Sequence, residues 1–306
     1  MDPFVERFEV PVEAGRLLVG RAGPAPGGDT PVVVAAHGIT GNHLSWGPVA
    51  RALDGRSCLL ALDLRGRAAS AAVGPPFGIA SHADDVIAVL EHVGVEHAVI
   101  TGHSMGAWVA ALAARRRPER AAAVVLVDGG IAVPMPDGAD PDDVLAAVLG
   151  PALARLHLTF PDPQAYRDWW RQHPAFASIA GEDVDDADLA RYVDHDLTGA
   201  PPDLRSSVIE EAVRVDGTQL LLDAEVRHAI DGLECHVTLL RAPRGLLDEP
   251  TPFIPEQAAE GLTRRQRPVS VISVGGTNHY TLLLSQHGAA AVAGAVEAAI
   301  GSEILR

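Results

Sequence analysis

The sequence has little cysteine, few aromatic residues and no long apolar run. Its 306 residues include only two cysteines, Cys58 and Cys235, each within a short apolar stretch, and this setting favours reduced, buried thiols over a disulfide framework or a metal site. The longest apolar stretches, such as residues 289–296, are far shorter than the roughly 18 to 20 residues that cross a bilayer. The N-terminal residues lack a basic region followed by an apolar core, so we expect no secretory signal and a cytoplasmic location.

Positive charge is also scarce. The formal net charge is −16 at pH 7 and no basic stripe offsets it, so nucleic acid and anionic membranes are not expected partners. Hydrophobic residues make up 47% of the chain, which is enough for a sizeable core. No zinc-protease motif, Cys/His cluster or phosphate-binding glycine loop is present, so neither a cofactor nor a metal is expected. The composition therefore predicts a globular, water-soluble protein without a polyanionic partner, and it leaves the oligomeric state open.

Short apolar runs alternate with helical segments along much of the chain. Aliphatic runs of this kind are typical of strands buried on both faces of a parallel sheet. Helices are predicted over residues 81–93, with Ser81 as the N-cap, and over residues 281–300 as a closing helix. An antiparallel pair of strands is predicted over residues 4–12 and 16–21. The alternation predicts a doubly wound α/β sheet. The apolar runs span residues 32–36, 58–62, 98–101, 121–127, 236–240 and 269–274.

The stretch Gly102-His103-Ser104-Met105-Gly106 lies between a strand pattern and a helix pattern. Glycines two positions away from Ser104 on both sides allow a tight strand-to-helix turn, which forces the serine backbone toward positive φ. Such a turn lifts the hydroxyl clear of the sheet and aims the next amide, that of Met105, at whatever the hydroxyl attacks. The G-x-S-x-G pattern is weak by itself, but a strand before it and a helix after it favour a catalytic serine.

The alternation stops between residues 131 and 233. This stretch has no buried strand pattern and contains Pro/Asp-rich turns and helical segments. Its aromatic enrichment indicates a lid over the site, although the same rings could form only the insertion's own core. Six of the chain's thirteen aromatic residues fall here, namely Phe160, Tyr166, Trp169, Trp170, Phe176 and Tyr192.

Four motifs follow predicted strands in a characteristic order. They are His37-Gly38, Asp63-Leu64-Arg65-Gly66, the turn around Ser104, and Asn278-His279-Tyr280. With these motifs the chain resembles the α/β-hydrolase superfamily over nearly its whole length. The resemblance implies an α/β-hydrolase fold, in which residues 1–130 and 234–306 form a mostly parallel, eight-stranded doubly wound sheet with its helices. A helical cap, residues 131–233, would be inserted after the sixth strand.

The resemblance also implies a catalytic triad in the chain order Ser, Asp, His. Ser104 would be the nucleophile, and His279 would be the base, because neutral imidazole can take the hydroxyl proton near neutral pH. A carboxylate must orient that imidazole. Asp248 follows the seventh strand, although a few residues later than is usual in the family, and is the preferred candidate. Asp128, at the end of the sixth strand, is the alternative.

The oxyanion formed on attack needs two donors. The resemblance implies the backbone amides of Ile39 and Met105. Four tryptophans that lie near these loops or in the cap are candidates for contact with an apolar substrate. They are Trp46, Trp108, Trp169 and Trp170.

Together these residues predict a serine hydrolase that cleaves a carboxylic ester or lactone through an acyl-enzyme. A carbon-carbon bond hydrolase or an amidase on the same triad is an alternative. A non-catalytic ligand-binding protein on this scaffold is a further alternative, against which the full set of nucleophile, base and candidate acids argues. The substrate itself depends on the packing of the cap, which the sequence does not reveal.

Overall fold

The computed structural model describes residues 1–132, 138–178, 181–263 and 269–304. Eight strands form one sheet, and two short strands form a separate hairpin. In chain order the strands are β1 (Phe4–Val12), β2 (Gly15–Ala22), β3 (Val32–Ala36), β4 (Cys58–Leu62), β5 (Ala98–His103), β6 (Ala121–Val127), β7 (Leu197–Thr198), β8 (Arg205–Ser206), β9 (His236–Arg241) and β10 (Val269–Ser273).

The main sheet has the order β1-β2-β4-β3-β5-β6-β9-β10. β2 pairs antiparallel with both β1 and β4, and the remaining neighbours are parallel. The predicted mostly parallel, eight-stranded sheet is therefore confirmed. Because the carboxyl ends of β3, β5, β6 and β10 meet at one edge, the loops that follow these strands come together there.

Helices flank this sheet and fill the segment between β6 and β9. No helix among the described residues is both long enough and apolar enough to cross a membrane. The α-helices are α1 (Gly47–Ala52), α2 (Ile79–His92), α3 (Met105–Arg116), α4 (Pro141–Leu149), α5 (Pro151–Ala154), α6 (Pro163–Arg171), α7 (Pro174–Ala177), α8 (Asp186–Asp194), α9 (Glu210–Leu222), α10 (Ala224–Arg227), α11 (Glu256–Thr263), α12 (Thr281–Leu284) and α13 (Gln286–Ile304).

The sheet has a hydrophobic core on each face. Residues of α2 and α3 pack on one face, and residues of α1 and α13 pack on the other. In β3, Val32 and Val34 belong to the first core, whereas Val33 and Ala35 belong to the second. Successive side chains of a strand point to opposite faces. A strand covered on both faces is therefore apolar throughout, as the sequence pattern predicts.

The segment between β6 and β9 is the cap. It contains α4 to α10 and the hairpin β7-β8. The hairpin was not predicted, because strands of two residues are too short to show an alternating pattern. Buried aromatic and aliphatic residues of α6, α8 and the hairpin form a core of their own. Residues 133–137 and 179–180 of the predicted cap lie outside the described residues.

Two predicted helix boundaries are wrong for reasons of tertiary structure. α2 begins at Ile79, so Ser81 lies inside the helix, and the amide of Ile79 is capped by the side chain of Gln219 in α9 at 2.8 Å. The predicted closing helix is two helices, α12 and α13, separated by Ser285. The Ser285 hydroxyl accepts the amide of Gly288 at 3.0 Å, which satisfies a free donor at the start of α13.

Candidate active site

Ser104 lies at the turn between β5 and α3. Its φ is +54°, in the left-handed region that only a tightly packed turn imposes on a serine. A Cβ atom on Gly102 would overlap the carbonyl group of Gly106, and one on Gly106 would overlap the carbonyl group of Ala36. The two glycines therefore allow the strand, the turn and the neighbouring loop to approach each other closely enough to present the serine.

The loop after β3, residues 37–42, lies directly against Ser104, and we call it the oxyanion loop. A Cβ atom built on Gly38 would be 3.2 Å from Cβ of Ser104 and 3.7 Å from its Oγ. The amide of Gly41 donates to the carbonyl oxygen of Gly38 at 2.9 Å and closes a turn around Ile39. Met105 is the first residue of α3, where helix amides have no partner within the helix. Ile39 and Met105 thus line one cavity together with Ser104.

His279 follows β10 and points its Nδ1 at a carboxylate. Nδ1 is 2.8 Å from Oδ2 of Asp128. Asp128 is fully buried at the end of β6, and its Oδ1 accepts the amide of Ala242 at 3.1 Å. An ionised carboxylate can only accept hydrogen bonds, so Nδ1 carries the hydrogen. Nε2 is then the ring nitrogen that can take the proton of Ser104, which lines the same cavity as His279.

The partner of His279 is a correction to the sequence-based expectation, which preferred Asp248. The Asp248 carboxylate instead forms an ion pair with Arg244, with Nε and Oδ1 2.8 Å apart. It also accepts Nδ2 of Asn278 at 3.1 Å. Asp128 directly ends β6, next to the strand that leads to Ser104, whereas Asp248 lies well beyond β9 in a loop. Burial alone would raise the pKa of Asp248, but the hydrogen bond from Arg244 keeps it below its usual range.

Two further histidines hold the catalytic loops in place. Nδ1 of His37 donates to the carbonyl oxygen of Gly38 at 2.7 Å, and its Nε2 accepts the amide of Leu64 at 3.0 Å. Nε2 of His103 donates to the carbonyl oxygen of His279 at 2.8 Å. Burial lowers the pKa of both imidazoles to about 3. Both rings are therefore neutral at pH 7 and act through these hydrogen bonds.

A cavity of about 30 Å³ lies between the candidate catalytic residues and the cap. The oxyanion loop, Ser104 and His279 line it from the core, and Leu149 and Tyr192 line it from the cap. Residues of the cap therefore form part of the wall of the cavity at Ser104.

A second cavity, of about 60 Å³, also reaches Ser104. Trp108, one of the four predicted tryptophans, lines it. Except for Ser104, every lining residue is apolar. The lining residues from α4, α9 and the loop after β9 were not predicted, because helical periodicity predicts that a residue is buried but not which cavity it meets. The lining residues are Ile39, Ser104, Met105, Trp108, Val144, Leu145, Val148, Leu149, Leu220, Leu221, Leu246 and Phe253.

The other three tryptophans are not among the residues that line these two cavities. Trp46 is fully buried in the sheet core on the side of α1. Trp170 packs in the cap core, where the guanidinium of Arg155 lies 5.0 Å from its ring centre. Trp169 packs edge-on against Trp170. The structure thus corrects the expectation for these three, because α6 turns Trp169 and Trp170 toward the cap core and Trp46 packs in the sheet core.

A cluster of His43, Asp63 and His195 lies outside the triad. Nδ1 of His43 is 2.8 Å from one oxygen of Asp63, and Nε2 of His195 is 2.7 Å from the other. The three ligand atoms lie within 4.8 Å of one another, a spacing that could hold a metal ion. Burial alone would raise the pKa of Asp63, but the two imidazoles hold it well below its usual range. Each carboxylate oxygen thus already has a donor, and the cluster ties the cap to the end of β4.

The fold matches that of known proteins. Residues 31–162 match a family model described as the alpha/beta hydrolase fold. A crystal structure of E-2-(acetamidomethylene)succinate hydrolase superposes with a TM-score of 0.75 over 98% of this chain and 99% of that chain, at 20% identity. The chain has the α/β-hydrolase fold. A thioesterase domain from the curacin biosynthetic pathway matches this α/β-hydrolase fold with a TM-score of 0.72 over 95% and 98% of the two chains, at 18% identity. At such identities the likeness establishes the fold alone.

A curated relative of this α/β-hydrolase-fold protein is the 2-(acetamidomethylene)succinate hydrolase of Mesorhizobium japonicum. It is 29% identical over 127 residues, which are 42% of this chain and 44% of that protein. The chain therefore matches less than half the length of this relative. The segment that matches the family model contains the oxyanion loop, Ser104 and Asp128, whereas His279 lies outside it.

Proposed function

We propose that this protein is a serine hydrolase whose triad is Ser104, His279 and Asp128. The observation that carries the proposal is the buried hydrogen bond from Nδ1 of His279 to Asp128. It fixes the tautomer in which Nε2 is free to act as a base, beside a serine held at positive φ. A serine hydroxyl is a poor nucleophile at neutral pH without such a base.

The mechanism follows from these positions. Nε2 of His279 takes the proton of Ser104 as Oγ attacks the carbonyl carbon, and the buried charge of Asp128 stabilises the imidazolium that forms. The amides of Ile39 and Met105 donate to the oxyanion. The imidazolium then gives its proton to the leaving group, and an acyl-enzyme remains on Ser104. Water activated by the same imidazole releases the acid.

The second cavity supports a carboxylic ester or lactone with an apolar acyl group as the substrate. Its lining carries no charged side chain, so an acyl carboxylate placed there would lose its hydration without gaining a counter-ion. An aliphatic acyl chain would instead bury its surface against the leucines and valines of α4 and α9, at about 25 cal/mol per Å².

An amide substrate is the second candidate. The relative from Mesorhizobium japonicum is named for an acetamido compound, and the same triad can expel an amine if His279 protonates it. Esters and amides with the same acyl chain separate the two candidates, because only the leaving group differs. A higher kcat/KM on the amide would favour this second assignment.

The test of the proposal is covalent labelling. A fluorophosphonate should modify wild-type protein at Ser104, as seen by mass spectrometry of peptides, and should not modify Ser104→Ala. Circular dichroism should show the same fold in both. Labelling at another serine, or ester turnover that survives in Ser104→Ala, would contradict the proposal.

A further inference from the structure

Two buried asparagines connect the catalytic loops to the cap. Asn42 is the last residue of the oxyanion loop, and its Nδ2 donates to the carbonyl oxygen of Tyr192 at 2.8 Å. Asn278 directly precedes His279, and its Nδ2 donates to the carbonyl oxygen of Ala175 at 2.9 Å. Tyr192 and Ala175 both lie in cap helices, α8 and α7. Only 1% and 0% of the surfaces of the two asparagines are exposed, so water cannot replace these acceptors while the cap is closed.

The oxygen of each side chain holds the asparagine's own loop. Oδ1 of Asn42 accepts the amide of Leu44 at 3.0 Å. Oδ1 of Asn278 accepts the amides of Tyr280 and Thr281 at 3.1 and 2.9 Å. Nδ2 of Asn278 has a second acceptor, Oδ1 of Asp248, at 3.1 Å. Each asparagine therefore joins the backbone of a catalytic loop to the backbone of the cap through one rigid amide.

The cap residues at the two contacts also lie beside the cavity at Ser104. The side chain of Tyr192 lines the cavity at Ser104. Phe176, next to Ala175, packs against Tyr280 with 5.6 Å between ring centres, and Tyr280 lines the same cavity. A movement of the cap that admits substrate therefore displaces the two acceptor carbonyls together with the walls of the cavity.

We propose that Asn42 and Asn278 are positioning residues that couple cap closure to assembly of the active site. This inference rests on the proposed hydrolase function. With the cap closed, Asn42 fixes the loop that carries the Ile39 amide, and Asn278 fixes the turn that carries His279. With the cap open, both amide groups lose their cap acceptors and both loops relax. Attack by Ser104 is then efficient only on a substrate that the cap has enclosed.

A matched control is available at His195. Its Nε2 also ties the cap to the core, through Asp63 at 2.7 Å, but Asp63 follows β4 and holds neither asparagine. His195→Ala removes one contact between cap and core and leaves both asparagine contacts intact. Asp63 also binds His43, next to Asn42, so this variant serves as the control for a lost cap contact in which both asparagine amides keep their acceptors.

The experiment compares Asn42→Asp, Asn278→Asp and His195→Ala with wild type. Asparagine to aspartate keeps Oδ1 and the shape of the side chain but removes the donor to the cap. Asn42→Ser and Asn278→Ser are made as well, since they remove the same donor without adding charge and remain informative if an aspartate variant does not fold. The rate constant and the half-saturating concentration for labelling of Ser104 by a small fluorophosphonate are measured separately, and hydrogen exchange is followed in residues 174–177 and 186–194.

We expect the labelling rate constant to fall in each asparagine variant by about 5- to 150-fold, the usual range for coupling between sites. The half-saturating concentration should change less. The lost hydrogen bonds also held the cap backbone at Tyr192 and Ala175, so hydrogen exchange in the cap should rise in these variants. His195→Ala should lose less labelling rate than either asparagine variant, because Asp63 keeps its hydrogen bonds to His43.

Three results would overturn the coupling alone. They are wild-type rate constants in both asparagine variants, an equal loss in His195→Ala, or a loss with unchanged hydrogen exchange in the cap, which would mean that each asparagine holds only its own loop. A wild-type protein that the probe does not label at Ser104 would overturn the proposed function, and the coupling with it.

Discussion

Replacement of Asp128 by asparagine tests the triad most directly, and the structure indicates how this change should impair His279. The side chain has two contacts, the amide of Ala242 on Oδ1 and Nδ1 of His279 on Oδ2. The amide oxygen of an asparagine must face Ala242, because that backbone group can only donate. Its NH2 group then faces His279, which must present a bare Nδ1 and carry its hydrogen on Nε2. The base is thereby held in the tautomer that cannot accept the proton of Ser104.

The expected loss in kcat is about 10⁴-fold, as for the same change in serine proteases. At 1.36 kcal/mol for each factor of ten, this corresponds to about 5.4 kcal/mol of transition-state stabilisation. Substrate binding should change little, because Asp128 lies behind the imidazole and does not line either cavity at Ser104. KM should therefore stay near its wild-type value if acylation limits the rate.

Asp248→Asn is the matched control. Its side-chain oxygen can still accept Nδ2 of Asn278, and the change removes only an ion pair with the exposed Arg244. We expect kcat within about threefold of wild type, because the amide oxygen keeps the contact with Asn278 and neither side chain of the Asp248–Arg244 pair hydrogen-bonds to His279. Both variants are assayed for kcat and KM on one ester that wild type hydrolyses, and their melting temperatures are recorded. A loss below tenfold in Asp128→Asn, or a larger loss in Asp248→Asn, would refute the assignment of the acid.

Three other predictions concern stability and substrate range. Gly102→Ala should lower the free energy of unfolding by at least about 2 kcal/mol, because the added Cβ overlaps the Gly106 carbonyl group. Gly294→Ala on α13, where an added Cβ has no neighbour within 4 Å, should not destabilise the protein. Equal urea midpoints for the two variants would contradict this. Burial lowers the pKa of His37 and His103 to about 3, so below the unfolded value near 6.5 the unfolded chain binds more protons and stability falls as pH falls. The slope should approach about 1.4 kcal/mol per pH unit for each histidine, and an unfolding free energy that is constant from pH 7 to pH 5 would be inconsistent with neutral, buried rings. Val148→Phe should fill the apolar cavity and slow hydrolysis of long-chain esters more than that of an acetate, and a uniform loss across chain lengths would place the acyl group elsewhere.

Local sequence was sufficient for the features that depend on nearest neighbours along the chain. The run Val32–Ala36 is apolar at every position because both faces of β3 are covered, so its burial could be predicted without a partner strand. The glycines around Ser104 are required by the turn itself. The order of polar residues after successive strands predicted the fold class and the sheet edge at which the site would lie.

Tertiary structure decided what depends on the distance between segments remote in sequence. Asp128 and Asp248 both follow parallel strands and both precede His279, so no local pattern distinguishes them. They are distinguished by the pairing of β6 with β5 and by the ion pair between Asp248 and Arg244. The same holds for Gln219, which caps α2 from another helix. Hydrogen bonds and close packing act over a few ångströms in space, whereas a sequence records only order along the chain. Which carboxylate meets an imidazole therefore becomes known only when the chain is folded.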